Sequence, residues 1–368
     1  MNSPCQTERL IVNSPCQVVR FASALDAQLV EDPDDRAHRQ LGPTQVRLRT
    51  LYSGISAGTE LTAYRGSNPY LTKRWDEHRR LFVEGTAPSF AFPIDGWGYE
   101  EVGEVVEMGS SVRTVSVGDV IYGAWGHRSH HIGEEAWAAS RKLPATLDPI
   151  VGIFSQIGAI ALNSMLDADI HVGETVAVFG QGVPGLLVTQ LAKANGGRVI
   201  AVDGHPMRLE LAAKIGAEYV VDYTAKDAAA FIRELTDNRG ADVSIEVSGV
   251  YSALAEAIRA TAYNSKVIAA GFFQGGGTAL NLGEEFHHNR IQVICSQISG
   301  VNPRLDHRWN ELRLAQTFMS TCARGLVNAH ALVSHVVPAT EAGQAFTMLH
   351  ERPAECVQVV LDFTGGAA

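Results

Sequence analysis

Three glycines and one aspartate carry the clearest chemistry in the chain. Gly180, Gly182 and Gly185 stand in the spacing G-x-G-x-x-G, with Gln181, Val183 and Pro184 between them, and Asp203 follows eighteen residues after the last. Each position answers a need of diphosphate binding. Gly180 permits a tight turn, Gly182 lets the backbone approach a pyrophosphate, and Gly185 lets a helix pack closely on a strand. The unpaired N–H groups and positive dipole end of that helix complete an anion site. Asp203 stands where an acidic side chain accepts hydrogen bonds from an adenosine ribose. The same charge would repel a 2′-phosphate. Gly204 and His205 bring no fixed positive charge, and Arg208 is assigned to the following helix, so NAD(H) is expected rather than NADP(H). The competing reading, a flexible glycine loop, leaves the acid at that distance unexplained.

This chemistry requires a strand before the glycines, a helix after them and a second strand ending on the acid. Residues 175–179 are an apolar, β-branched run between Gly173 and Gly180. Leu186, Leu187, Gln190, Leu191 and Ala194 then recur at helical spacing until Asn195-Gly196-Gly197, and residues 199–202 are apolar up to Asp203. The alternation continues, with helices expected over 207–215, 225–236 and 251–260 and strands over 219–221, 243–247 and 266–270. Strands joined by crossover helices make a parallel, doubly wound sheet. Residues 291–298 read as a further apolar strand at the sheet edge, with Cys295 as a core thiol. A helical pattern over 309–324, another over 341–349 and a strand over 357–363 lie beyond that fold and are expected to pack back on the N-terminal region.

Before the glycine turn the pattern is different. Residues 10–21 and 45–51 alternate as strands do, on either side of a turn-rich acidic stretch at 31–42. Strands at 102–106 and 120–122 lie among frequent glycines, which suggests a strongly bent sheet. NSPCQ occurs at Asn2 and at Asn13, and two copies do not make a repeat architecture. The excursion between Gly66 and Gly96 carries Lys73, Arg74, Arg79 and Arg80. It reads either as a solvated surface helix or as a flap presenting positive charge to an anionic substrate. A helix over 149–167 leads into the glycine-turn strand.

At 368 residues the chain exceeds one compact core and suits two domains. Its 46% apolar and 19% charged residues exclude disorder, and a net charge of -10 argues against a nucleic-acid or anionic-membrane partner. No run reads as a membrane span or a secretory signal, so a cytoplasmic location is expected. Cys5, Cys16, Cys295, Cys322 and Cys356 are odd in number and contain no C-x-x-C pair. They are expected to be reduced thiols, neither a disulfide frame nor a zinc knot.

Several segments, taken in order, resemble the medium-chain dehydrogenase/reductase superfamily, the zinc alcohol dehydrogenase-like fold. They are Gly54-Ile-Ser-Ala-Gly-Thr-Glu60, Gly98-Tyr-Glu-Glu-Val-Gly-Glu-Val-Val-Glu-Met-Gly109, Val117-Gly-Asp119, Leu143-Pro144, the glycine fingerprint and Ile245-Glu-Val-Ser-Gly249. The GISAGTE and GYE variants look like the subgroup containing bacteriochlorophyllide dehydrogenase and related enzymes of secondary metabolism. The resemblance covers nearly the whole chain and implies an α/β fold class. A Rossmann doubly wound parallel sheet would occupy residues 164–300, and a β-rich GroES-like catalytic domain residues 1–163 and 301–368. It further implies hydride transfer in an interdomain cleft, at a secondary alcohol or ketone of a polyol, cyclitol or biosynthetic intermediate. Ser248 would be among the cofactor contacts, and the edge strand would pair in a homodimer.

The family's catalytic zinc sits on a Cys, a His and a third Cys, Asp or Glu. By that resemblance the first position falls at Ser56 or Ala57, the second at Tyr99 and the third at or near Ser155-Gln156. None offers a thiolate or imidazole, and the family's four-cysteine structural lobe is absent, so no metal is expected. The work of the Lewis acid would pass to Tyr99, as a phenol donating to a ketone or a phenolate accepting the alcohol proton, unless its ring only fills the vacated space. Thr59 matches the hydroxyl that bonds the substrate oxygen, its alternative being a turn-stabilising role. Glu60 and Glu100 read as structural carboxylates. Gly126-His-Arg-Ser-His-His131 sets three imidazoles on one short stretch with no cysteine partner, which disfavours a metal and leaves His127 or His130 as a proton relay. Two rival readings are a reductase of activated C=C bonds and a dinucleotide-binding protein without catalysis; cofactor preference and turnover on a substrate panel separate them.

Overall fold

Thr175–Phe179 is buried at every position, as an apolar β-branched strand covered on both faces must be. It lies inside a six-stranded sheet whose order is Tyr219–Asp222, Arg198–Asp203, Thr175–Phe179, Ala241–Glu246, Thr261–Ala269, Gln292–Cys295. Every neighbouring pair is parallel. The chain leaves the first strand toward one side of the sheet and later returns to its other side, so the switch point falls at the carboxyl end of Thr175–Phe179, where Gly180 follows. Helices Val183–Ala194, Pro206–Ile215, Ala228–Leu235 and Tyr251–Ala260 make crossovers. Phe179, Val202, Ile232, Leu254, Ile258 and Val267 pack together in the core of this region.

The computed structural model describes residues 15–85 and 87–365. Cys5 and the first NSPCQ copy lie outside them, as do residues 10–14 of the expected first strand. The parallel sheet belongs to a unit comprising Phe154–Ser334 and Arg352–Gln358. This departs from the expected 164–300 and moves residues 301–334 out of the β-rich unit. Helix packing is the cause: a Cβ at Gly158 would fall 2.2 Å from the ring of Phe318, so the bare glycine in Ser155–Ala168 lets Glu311–Ala323 dock against it. Only His335–Glu351 and the strand residues from Val359 onward join the N-terminal unit.

In that N-terminal unit the long strand Gln45–Ile55 pairs antiparallel with Glu101–Met108, His130–Glu134 and Gln358–Asp362. Val46, Leu48, Val105, Ile121 and Trp125 form one core of the unit. Gln17–Ser23 pairs with Asp26–Glu31, a strand whose polar composition concealed it. The basic excursion is not a helix. Arg74–Asp76 and Leu81–Val83 form a two-stranded hairpin, with Trp75 directly opposite Phe82.

Two expectations about apolar stretches are corrected. Pro149–Ala168 is long and apolar enough to span a bilayer, yet 72% of its window is buried inside the protein. Cys295 is exposed on the edge strand and is no core thiol; Cys16, Cys322 and Cys356 are buried free thiols.

Candidate active site

The glycine turn has the geometry its spacing requires. Gly180 takes φ +92°, in the left-handed region, and a Cβ there would fall 2.8 Å from the Cβ of Ser248. A Cβ at Gly185 would lie 1.8 Å from the Gly180 carbonyl oxygen, so only hydrogen fits. At Gly182 the nearest atom is 4.0 Å away, which leaves the backbone open to a ligand. Gly182 is the N-cap of Val183–Ala194, no side chain caps that helix, and Pro184 sits in its first turn. The free amides there are therefore offered to an anion.

Asp203 braces this turn. Its Oδ2 accepts the Gln181 N–H at 2.6 Å, and its Oδ1 accepts those of Gly204 at 2.8 Å and His205 at 2.9 Å. Lone pairs remain for a ribose hydroxyl. The side chain of Gln181, expected at the cofactor, turns inward: Nε2 donates to the Val178 carbonyl at 3.0 Å and Oε1 accepts from Thr189 at 3.0 Å. Its contribution to the site is its backbone. Ser248 donates through both N–H and Oγ to Glu246, whose other carboxylate oxygen accepts the Gly249 N–H. Glu246 is fully buried, and that burial pushes its carboxyl up to about 7. The residues present fit a dinucleotide.

Ser56, Thr59 and Tyr99 come together in the N-terminal unit. Ser56 follows the strand Gln45–Ile55, and Thr59 precedes the helix Glu60–Tyr64, whose first N–H bonds back to the Ser56 carbonyl at 2.9 Å. The Tyr99 hydroxyl shares a short hydrogen bond with Ser56 Oγ and donates to Thr59 Oγ1 at 3.4 Å. Burial, reinforced by Glu100 and Glu60, holds the phenol above the ordinary tyrosine range. That direction favours the phenol, the form that donates to a ketone oxygen. Thr59 makes no side-chain cap to the helix it precedes, so its hydroxyl is not committed to a capping role.

Behind the hydroxyls lies a chain of buried polar groups. His127 Nε2 is 2.7 Å from Glu60 Oε2, and its Nδ1 is 2.6 Å from Ser53 Oγ. Ser53 donates to Glu101 Oε1 at 3.1 Å, and Glu101 Oε2 accepts the backbone N–H groups of Trp125 and Gly126 at 2.7 and 3.1 Å. Glu60, Ser53, Glu101 and His127 are each 0% exposed, which makes every unmade bond expensive. Burial pushes His127 down to about 4 and raises both carboxyls, Glu60 strongly. With the imidazole uncharged, one arrangement satisfies all of these contacts: Glu60 carries the proton and donates to Nε2, and Nδ1–H donates to Ser53. Gly98 makes the space, since a Cβ there would fall 2.8 Å from the His127 ring.

His127 therefore bonds Glu60 and Ser53 and not the Tyr99 hydroxyl, whose partners are Ser56 and Thr59. His130 does not join either. Its ring bonds Ser129 Oγ at 3.0 Å, and burial, then Arg47, Arg49 and His38, push it down to about 4. His131 stacks on Trp125 at 5.2 Å. Ser53 and Glu101 escaped the sequence reading. Alternation could not single them out: Glu100 and Glu101 are both buried, Glu100 just before the strand Glu101–Met108 and Glu101 at its start. The zinc-equivalent positions Ser56 and Tyr99 present hydroxyls. Among the described residues no group of three or more His, Cys, Asp or Glu is placed to hold a metal ion.

A doubly wound parallel sheet with a G-x-G-x-x-G turn at its switch point, in one chain with a β-rich unit, defines a dinucleotide-dependent dehydrogenase architecture. Comparison with known proteins narrows the class. The model of the zinc-binding dehydrogenase family matches residues 184–315. D-guloside 3-dehydrogenase of Escherichia coli (strain K12) is 28% identical over 345 residues, 92% of this chain and 97% of that protein. Sorbitol dehydrogenase of Halalkalibacterium halodurans is 25% identical, over 87% of this chain and 92% of its own. A structure from Sinorhizobium meliloti, described as a zinc-binding dehydrogenase bound to NADP, superimposes with a TM-score of 0.73 at 22% identity, covering 95% of this chain and 100% of that one. These matches support the medium-chain dehydrogenase/reductase superfamily, and the dehydrogenases among the relatives make the chain an oxidoreductase.

Proposed function

We propose that the protein is an NAD(H)-dependent dehydrogenase interconverting a secondary alcohol and a ketone on a polyol, sugar or cyclitol, with a phenol in the place where zinc relatives carry the metal. The sugar and polyol activities named for its relatives support the substrate class. Backbone amides at Gly182, Val183 and Gly185 would hold the diphosphate and Asp203 the adenosine ribose. The bound nicotinamide supplies or takes up hydride. Tyr99 donates its O–H to the substrate oxygen and gives up that proton as an alkoxide forms. Ser56 and Thr59, already bonded to the phenol oxygen, can turn their own protons toward the charge left there. Donors fixed in a desolvated site stabilise developing negative charge far better than water does.

The observation that carries this reading is the Tyr99 phenol, bonded to the Ser56 and Thr59 hydroxyls, at a position that the family resemblance equates with a zinc ligand. Tyr99→Phe keeps the ring and removes the donor. Turnover is expected to fall by roughly 10²- to 10⁴-fold while the NADH dissociation constant is unchanged, and wild-type activity should survive dialysis against a chelator. Near-full activity in Tyr99→Phe, or loss of activity on chelation that added zinc restores, overturns it. For the cofactor, NADH should bind at least tenfold more tightly than NADPH, about 1.4 kcal/mol, through the charge of Asp203. Equal dissociation constants in a fluorescence titration sink that preference.

A further inference from the structure

The hairpin at residues 74–83 and the segment leading from it to Tyr99 have no part in the chemistry above, yet they carry an unbroken row of aromatic rings. Trp75 lies 5.0 Å from Phe82, Phe82 lies 5.4 Å from Tyr70, Tyr70 lies 5.6 Å from Phe90, and Phe90 lies 4.9 Å from Trp97. At the outer end Phe82 is 42% exposed beside Leu81 at 59%. At the inner end Trp97 is two residues before Tyr99 in the chain. Its Nε1 is buried and has no hydrogen-bond partner. A buried N–H left unpaired is costly, and a ligand oxygen would relieve it.

The charges of the hairpin do not explain the row. Lys73 pairs with Glu84 at 2.9 Å and Arg74 with Asp76 at 3.8 Å, so two of its four cations are answered within the hairpin and an anion clamp is poorly supplied. What remains is an aromatic strip with an unpaired indole N–H at one end. That pairing of aromatic faces with one or two placed polar groups is how proteins hold amphipathic small molecules. A pyranose offers apolar C–H faces to rings and hydroxyls to a donor. One sugar ring, however, covers only a step or so of a row whose ring-to-ring steps reach 5.6 Å.

We infer that the aromatic row from Trp75 to Trp97 is a substrate subsite, and that the substrate is a pyranoside carrying an apolar aglycone. The sugar lies at Trp97, with a hydroxyl or ring oxygen accepting from Nε1, and the aglycone lies along Phe90, Tyr70 and Phe82. This inference rests on the dehydrogenase reading for its kinetics, but not for its binding.

The test compares phenyl pyranosides of several sugar configurations with their methyl counterparts and with sorbitol. In NAD⁺-dependent assays the best phenyl pyranoside should exceed its methyl counterpart at least tenfold in kcat/KM, the gain residing in KM. Phe82→Ala and Trp75→Ala should erase that advantage. Trp97→Phe, which keeps a smaller aromatic ring but no N–H donor, should raise KM for both pyranosides. The same ligands are titrated without cofactor by tryptophan fluorescence, and the thermal midpoint of each variant is checked against wild type. Phenyl pyranoside binding that is lost in Phe82→Ala supports the subsite even if no alcohol is oxidised, in which case the dehydrogenase reading alone has failed. Oxidation of polyols with phenyl and methyl pyranosides indistinguishable in both assays overturns the subsite and leaves that reading standing.

Discussion

Whether Glu60 or His127 holds the proton between them decides what the centre of the N-terminal unit is made of. A glutamate anion beside an imidazolium would be a buried ion pair; a protonated glutamate beside a neutral imidazole is a hydrogen bond between uncharged groups. Desolvation pushes both groups toward the uncharged form, and the Ser53 and Glu101 contacts complete it without a second proton. The two cases respond differently to mutation. Glu60→Gln keeps an N–H to donate to Nε2, so a neutral pair should lose no more than about 1 kcal/mol in denaturant unfolding. His127→Ala, which strands Ser53 and Glu60 and leaves a cavity, should cost about 3 kcal/mol. If instead Glu60→Gln costs as much as His127→Ala, an uncompensated imidazolium has been left behind and the pair was ionic. None of this was legible in the sequence beyond the residue types. Glu60 and His127 are 67 positions apart, and only the fold sets their distance.

Among the elements, those with a strong period were readable and those made by tertiary contact were not. The glycine turn was legible because its three glycines answer local steric demands at fixed spacing, whereas the inward turn of Gln181 depends on Thr189 one helix face away. Ser53 and Glu101 meet because the register of Gln45–Ile55 on Glu101–Met108 sets them directly opposite, and register is a pairing property rather than a string property. The basic excursion reads as a surface helix or a charged flap, and the cross-strand aromatic pair Trp75 and Phe82 makes it a hairpin rather than a helix. The place of Glu311–Ala323 was misjudged for a similar reason. Its partner is a notch at Gly158, and one missing methyl group has no periodicity. Filling the notch is the corresponding prediction. Gly158→Ala raises helix propensity on an isolated-helix scale, yet its Cβ would sit 2.2 Å from Phe318, so overpacking should prevail by about 1–3 kcal/mol. Chemical denaturation would show it, and Gly158→Ala with Phe318→Leu should recover part of the loss. A stabilised single variant would mean that the two helices do not pack as described.

For the molecule as a whole, one edge of the parallel sheet poses the last question. Among the described residues Gln292–Cys295 pairs only with Thr261–Ala269, so its other side presents backbone N–H and C=O groups with no described strand beside them. Proteins blunt such edges with charges, proline or bulges. Here the four residues Gln292, Val293, Ile294 and Cys295 include neither charge nor proline, and Val293 is 40% exposed. A second copy of the chain is the partner that suits an uncharged edge, because a two-fold axis lets the same strand pair with itself antiparallel and closes the assembly at two. We therefore expect a homodimer, with light scattering at micromolar concentration giving twice the 39.6 kDa chain mass. Val293→Lys sets like charges against each other across such an axis and should yield monomers whose unfolding remains cooperative. A wild-type monomer would refute the pairing, and so would a dimer that Val293→Lys leaves intact, since the contact would then lie on another surface.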